Sequence, residues 1–143
     1  MKITLRQKLG PDDCPYVIRW VFDFYWFSIR IHHWIHSDDL RHPHDHAWDF
    51  ISVVLWGNIV DRTAEHDIVR KWLSFRYFKA EHQHSVVVDK PCWTLLFCGT
   101  ERRQWGYWVN GKFRKRNKYF NENGHHNPCE HLNNGKDNRT TAS

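Results

Sequence analysis

The stretch RHPHDHAWDFISVVLWG, residues 41–57, decides how the chain is read. His42, His44 and His46 stand at alternate positions, and alternate side chains of an extended strand point to one face. Imidazoles can therefore converge on one spot without a tight turn. Asp49 follows three residues after His46. The run from Phe50 to Trp56 is β-branched and aromatic, has strand length, and is stopped by Gly57-Asn58. The pattern predicts a strand over residues 44–56, bent near Pro43.

A second pair at strand spacing, His82 and His84, precedes Val86-Val87-Val88. Imidazole is the commonest protein ligand for zinc, iron, copper and nickel. The expectation is that two strands bring His44, His46 and His84 around one metal ion, with ligand distances of about 2.0–2.2 Å. Twelve histidines make chance pairs common, so the weight rests on the two strand-spaced pairs acting together. His42 is expected at the rim of the site. His82 shares a face with His84 and is its substitute. Asp49 is a further candidate ligand, in a face of histidines and one carboxylate; its alternatives are to cap a bulge or to bond an imidazole.

Outward from this stretch, strands are expected at residues 16–20, 22–35, 68–78, 81–88, 92–98 and 104–109, with loops at 1–15 and 57–67. Glycine, proline and asparagine clusters separate them. Phe113, Tyr119 and Phe120 anchor a last strand or helix. No segment has long helical periodicity, and aromatic residues make up 16% of the chain. Seven or more short strands argue for an all-β sandwich or barrel. At 143 residues this is one domain with a core of its own. Residues 1–124 are expected to form it, with residues 125–143 a polar tail. His125, His126, Cys129 and His131 have the composition of a zinc clip, although a simple tail is the plainer reading.

The formal charge is +5, with basic residues gathered at Arg102-Arg103 and between Lys112 and Lys118. A balance of this size permits anion or nucleic-acid binding without demanding it; nucleic acid is the less favoured partner. The four cysteines, Cys14, Cys92, Cys98 and Cys129, form no CxxC pair. No export signal or membrane-spanning stretch is read. The expectation is a cytoplasmic protein with reduced thiols and no intramolecular disulfide. Arg103, within ERRQWGYW, and Arg30, inside the apolar run FSIRI, are the candidates for holding a substrate carboxylate or phosphate.

These residues resemble the cupins, jelly-roll proteins with a His-x-His pair and an acidic residue on one hairpin and a further His on a later strand. His42-x-His44-x4-Asp49-x7-Gly57 nearly fits the first cupin motif, with Asp for the usual Glu and one extra residue before the glycine. No Pro-x-Gly precedes His84. The chain is more similar to a group of small cupin-like proteins of bacteria and their phages. CPYVIRW (14–20), FSIRIHHWIHSDD (27–39), HDHAWDF (44–50), PCWTLLFCGTERRQWGYW (91–108) and PCE (128–130) carry that likeness. The group's motif reads His-Asp-His-Pro-Trp, which favours His44 and His46 over His42; Ala47 replaces the proline here.

The resemblance implies a cupin-like jelly roll built around a divalent metal. Three histidines on one metal face are similar to the thiol dioxygenases, which implies Fe(II) and dioxygenase-like oxidation of a small molecule; zinc, nickel or manganese are alternatives. Sugar isomerisation or epimerisation with the metal as Lewis acid, and a non-catalytic ligand-binding module, are the other readings; a homodimer is a further partner expectation.

Overall fold

The structure is a computed structural model and describes residues 1–130. Eleven strands and one short helix are seen there: β1 (Lys2–Leu9), β2 (Val17–Asp23), β3 (Ser28–Trp34), β4 (Phe50–Trp56), β5 (Ile59–Arg62), β6 (Asp67–Arg70), β7 (Phe75–Phe78), β8 (Ser85–Val87), β9 (Cys92–Cys98), β10 (Gly106–Val109), β11 (Lys112–Lys115) and α1 (Arg116–Asn123). A six-stranded sheet of order β1-β2-β3-β9-β4-β7 packs on a three-stranded sheet, β6-β5-β8, and β10 pairs with β11. All named pairs are antiparallel. The all-β jelly roll expected from the sequence is what forms.

The two sheets close over Val17, Trp34, Val54, Ile59, Val86, Val88 and Cys92. A second cluster, Phe50, Phe78 and Cys98, sits beside Trp48 and Leu96. Both draw on alternate positions of their strands, as period-two burial requires. Gly57 turns β4 into β5 with φ +79°, and a Cβ there would stand 2.8 Å from Cys92 Cβ. Glycine suits both demands.

Several elements differ from the sequence reading. Residues 1–15 are not only loop: β1 is an exposed edge strand whose ladder is broken by a bulge between Thr4 and Gln7, where Arg6 has φ 51°. The apolar run 22–35 is cut by a turn. Asp23 accepts a hydrogen bond from the Tyr25 N–H at 3.0 Å, and Tyr25 takes φ 73°. The aromatic residues there mask an Asx turn. Residues 57–67 hold β5, which is polar because only Ile59 and Asp61 face inward.

The expected continuous strand over residues 44–56 is two pieces. Around His44 the chain makes a single bridge each to His84 and Tyr107; β4 starts only at Phe50. Between them the Ala47 carbonyl accepts from Arg102 N–H, and the Asp49 carboxylate accepts from Ala80 N–H at 2.7 Å. These contacts pull the backbone off the ladder. The cysteine expectation is also corrected, because Cys14 and Cys129 form a disulfide across a sequence separation of 115 residues. The chain beyond α1 returns to the start of β2, a closure no local spacing could signal. His131 and the rest of the tail lie outside the described residues.

Asp45, fully buried, fixes the first histidine segment. Its carboxylate accepts from Gly106 N–H and Trp108 Nε1–H, each at 2.9 Å, and pairs with Arg103 Nη1 at 2.7 Å. Its own N–H donates to the Gly106 carbonyl at 3.0 Å. Three neighbours therefore hold one buried charge. Asp45→Asn leaves the Arg103 charge without its anion, a change that costs about 3 kcal/mol or more. Urea denaturation is expected to show that loss, whereas Asp12→Asn in an exposed loop should leave the midpoint unchanged.

His32 lies on the inner face of β3 with both ring nitrogens unpartnered. Burial, with Arg19 and Arg30 nearby, pushes its pKa down to about 3. The unfolded chain therefore takes up a proton that the folded chain refuses as pH falls from about 6.5 towards 3, so this contribution to stability is present above 6.5 and lost in that window. The metal-free protein should have a lower urea midpoint at pH 5 than at pH 7, and His32→Leu should make that fall shallower.

Candidate metal centre

Three segments bring the histidines together. His44 and His84 exchange backbone hydrogen bonds, N–H to carbonyl, at 2.9 and 3.0 Å, and His46 N–H donates to the Ala80 carbonyl at 2.9 Å. The segment 43–47 thus lies between residues 80–84 on one side and 105–108 on the other. It keeps strand-like alternation: His44 and His46 point one way and Asp45 the other. Each of His44, His46 and His84 offers one nitrogen, and these atoms all lie within 4.8 Å of one another. His46 Nε2 and His84 Nε2 are 3.4 Å apart. Phe50, Phe78, Trp48, Trp105 and Tyr107 pack around the three rings.

Two buried carboxylates stand behind the rings. Asp61, at an inward position of β5, hydrogen-bonds His84 Nδ1 through Oδ1 and His82 Nε2 through Oδ2, the latter at 3.1 Å. Burial opposes ionisation of Asp61, but the bonds from His82 and His84 outweigh it and hold the carboxyl well below its ordinary range. With Nδ1 donating to Asp61, neutral His84 presents the lone pair of Nε2. Asp38 Oδ2 lies 3.3 Å from His44 Nδ1 without forming a hydrogen bond; Asp38 Oδ1 accepts from Val86 N–H at 3.0 Å. Burial raises the Asp38 pKa well above the usual carboxylate value.

Burial, followed by the neighbouring histidines, drives His44 and His46 well below the ordinary imidazole pKa. Burial also lowers His84, against the pull of Asp61. Three neutral imidazoles sharing an aromatic-lined spot are in the protonation state that metal ligation requires. The donor set fits a divalent transition metal. A second group, Asp61, His82 and His84, also has its donor atoms within 4.8 Å, but there the carboxylate is engaged by both rings.

The other candidates fall elsewhere. Asp49 is outside the three-histidine group, where Tyr77, Arg102 and Ala80 N–H donate to its carboxylate. His42 Nδ1 is 2.9 Å from Tyr119 Oη, on the side of α1. Arg103 is committed to Asp45 and to the His46 carbonyl at 3.1 Å. Arg30 points into the barrel: its guanidinium lies 4.3 Å over the Trp48 ring, its Nε donates to Ser28 Oγ at 3.1 Å, and its charge depresses His46. Asp61 and Asp38 were missed from the sequence. Asp61 had one visible signal, an acidic residue two positions after Ile59 on the same strand face. Asp38 read only as a strand break. The surface cleft of about 490 Å³ lined by Trp56, Trp72 and Lys90 shares no residue with the histidines.

No protein-family model matches the chain, and no curated protein matches it. Solved structures do. An RmlC-like cupin from Shewanella frigidimarina aligns over 72% of this chain and 97% of its own, at 12% identity and a TM-score of 0.53. KdgF from Halomonas sp. aligns over 66% and 89%, at 15% identity and a TM-score of 0.53. Fe(II) HppE aligns over 64% of this chain at 12% identity and a TM-score of 0.54; the aligned region spans only 54% of HppE. At such identities the likeness is one of architecture, and the architecture is the cupin jelly roll.

Proposed function

We propose that the chain is a metal-dependent cupin-type enzyme that holds Fe(II) between His44, His46 and His84 and oxidises a small anionic molecule inside the barrel. The observation that carries this reading is the convergence of three neutral imidazoles, His84 buried and His44 and His46 half-buried, with His84 oriented by the Asp61 carboxylate. Fe(II) is chosen because the histidine-only face resembles that of the thiol dioxygenases, and Fe(II) HppE has the same architecture. When bound, such an ion leaves open positions at which a substrate and O2 are activated. The chain's residues supply the surroundings. Asp61 locks the His84 tautomer, the aromatic rings exclude water, and Arg30 holds the anionic group of the substrate. Arg103 is a positioning residue that acts through Asp45.

A second copy of the chain is the proposed partner. On the outer face of the six-stranded sheet, Phe22, Ile29, Phe97, Ile51 and Tyr77 run in one row and Trp20, Ile31, Leu95, Val53 and Phe75 in the next. Phe97, Tyr77 and Phe75 are all exposed. A flat apolar face of this breadth is unusual on a monomer, and packing against its own copy about a two-fold axis covers both faces at once.

Metal analysis and oxygen uptake test the first proposal. His44→Ala, His46→Ala and His84→Ala are each expected to lose stoichiometric metal while keeping a β circular-dichroism spectrum; Asp49→Ala should retain it. Asp61→Asn should weaken metal affinity by about 10–100-fold. Iron with uptake dependent on a small carboxylate supports oxidation. Another metal without uptake favours Lewis-acid sugar isomerisation, and no metal leaves a ligand-binding module. For the dimer, light scattering on a sizing column should give twice the chain mass, and Leu95→Asp should give a monomer. A monomeric wild type sinks the dimer alone.

A further inference from the structure

A second cluster of side chains able to hold a metal shares no residue with the three histidines. Cys14 precedes β2, His36 follows β3, and Cys129 lies in the segment after α1. The donor atoms of all three lie within 4.8 Å of one another. Cys129 Sγ is 3.8 Å from His36 Nε2. In tetrahedral zinc geometry a sulfur and a nitrogen ligand are separated by about 3.5 Å. The frame that places them is backbone. Ile35 and His36 N–H both donate to the Tyr16 carbonyl, at 2.9 and 3.1 Å, and Cys14 N–H donates to the Pro11 carbonyl at 3.1 Å. Cys129 N–H donates to Asn127 Oδ1 at 3.0 Å. Cys14 is buried, while His36 and Cys129 are half-buried.

We infer that Cys14, His36 and Cys129 form a redox-dependent zinc site, separate from the histidine centre, which fastens the segment after α1 to the barrel. The structure shows one of its two states, the Cys14–Cys129 disulfide. In the other, both sulfurs are thiolates and bind Zn(II) together with His36 Nε2, a water completing the tetrahedron. Two thiolates and one imidazole suit zinc by softness. The states exclude one another, because each sulfur lone pair given to zinc is lost when the S–S bond forms. Interconversion balances with a small-molecule disulfide as oxidant. The two cysteine thiolates give two electrons to it, its S–S bond breaks to two thiolates, the Cys14–Cys129 bond forms, and Zn(II) leaves. Either state ties residue 129 to residue 14, so the segment stays docked in both redox conditions.

The site is independent of the proposed function, and its test is kept apart by using a signal only sulfur can give. Co(II), added anaerobically to the reduced full-length protein, is expected to produce thiolate-to-cobalt charge-transfer absorption. The histidine centre contains no cysteine and cannot contribute it. The remaining thiols, Cys92 and Cys98, are buried, and burial pushes Cys92 up to about 11 and raises Cys98 as well. Zn(II) should abolish the band, and oxidised glutathione should release the metal. Cys14→Ser and Cys129→Ser should lack the band. His36→Gln keeps both sulfurs, and should bind Co(II) at least about tenfold more weakly. His46→Ala should retain the band. A reduced wild type without charge-transfer absorption, a band that survives Cys129→Ser, or unchanged affinity in His36→Gln overturns the proposal. Because the first of these outcomes uses the wild-type chain, misfolding of a variant cannot rescue it.

Discussion

The buried charge of Asp45 is the constraint on which the site depends. A carboxylate removed from water needs its lone pairs filled and its charge matched. Here that demand draws Gly106, Trp108 and Arg103 to one side of the segment 43–47. The opposite side of the same segment carries His44 and His46. Because side chains alternate, fastening Asp45 outward aims both histidines inward. The HDH triplet therefore works as a unit in which the middle residue is structural and the outer two are available for ligation.

The six-stranded sheet mixes polar groups into its inner, core-bearing face and carries apolar rows on its outer face. Its inner face carries Ser28, Arg30, His32, Ser52 and Thr94 among the apolar side chains, whereas its outer face presents rows of isoleucine, leucine, phenylalanine and tryptophan. Polar groups inside have partners in part: Trp34 Nε1–H donates to Thr94 Oγ1 at 3.0 Å, and Arg70 donates to Ser52. Both ring nitrogens of His32 and Nδ1 of His46 are left without a partner there.

Charge at the surface follows a different logic. Arg102, in the basic pair that stood out in the sequence, bridges Asp49 and Glu81 at 2.6 Å each. Exposed pairs of this kind add little stability, but they leave Arg102 no free fork for a phosphate backbone. Lys112 to Lys115 form the exposed hairpin strand β11.

The sequence by itself determined the strand-rich fold, the extent of β9 and the candidate histidines His44, His46 and His84. Each of these rests on local information: period-two alternation, turn chemistry, or residue type at fixed spacing. Tertiary structure decided what lies behind the histidines and what closes the chain. Asp61 bonds His84 from 23 residues away in sequence, and Asp38 stands behind His44 from a loop that reads only as a strand break, so no local pattern distinguishes them from surface acids. Asp49 sat at a suggestive spacing, yet Ala80, Tyr77 and Arg102 claim its oxygens once the sheet forms. Arg30 and Arg103 were alike as candidates for holding an anionic group; burial of Asp45 beside Arg103 separates their roles. Cys14 and Cys129 come together because the helix after β11 turns the chain back over the barrel. That closure pairs residues more than a hundred positions apart, and such contacts are set by the folded topology rather than by any stretch of sequence.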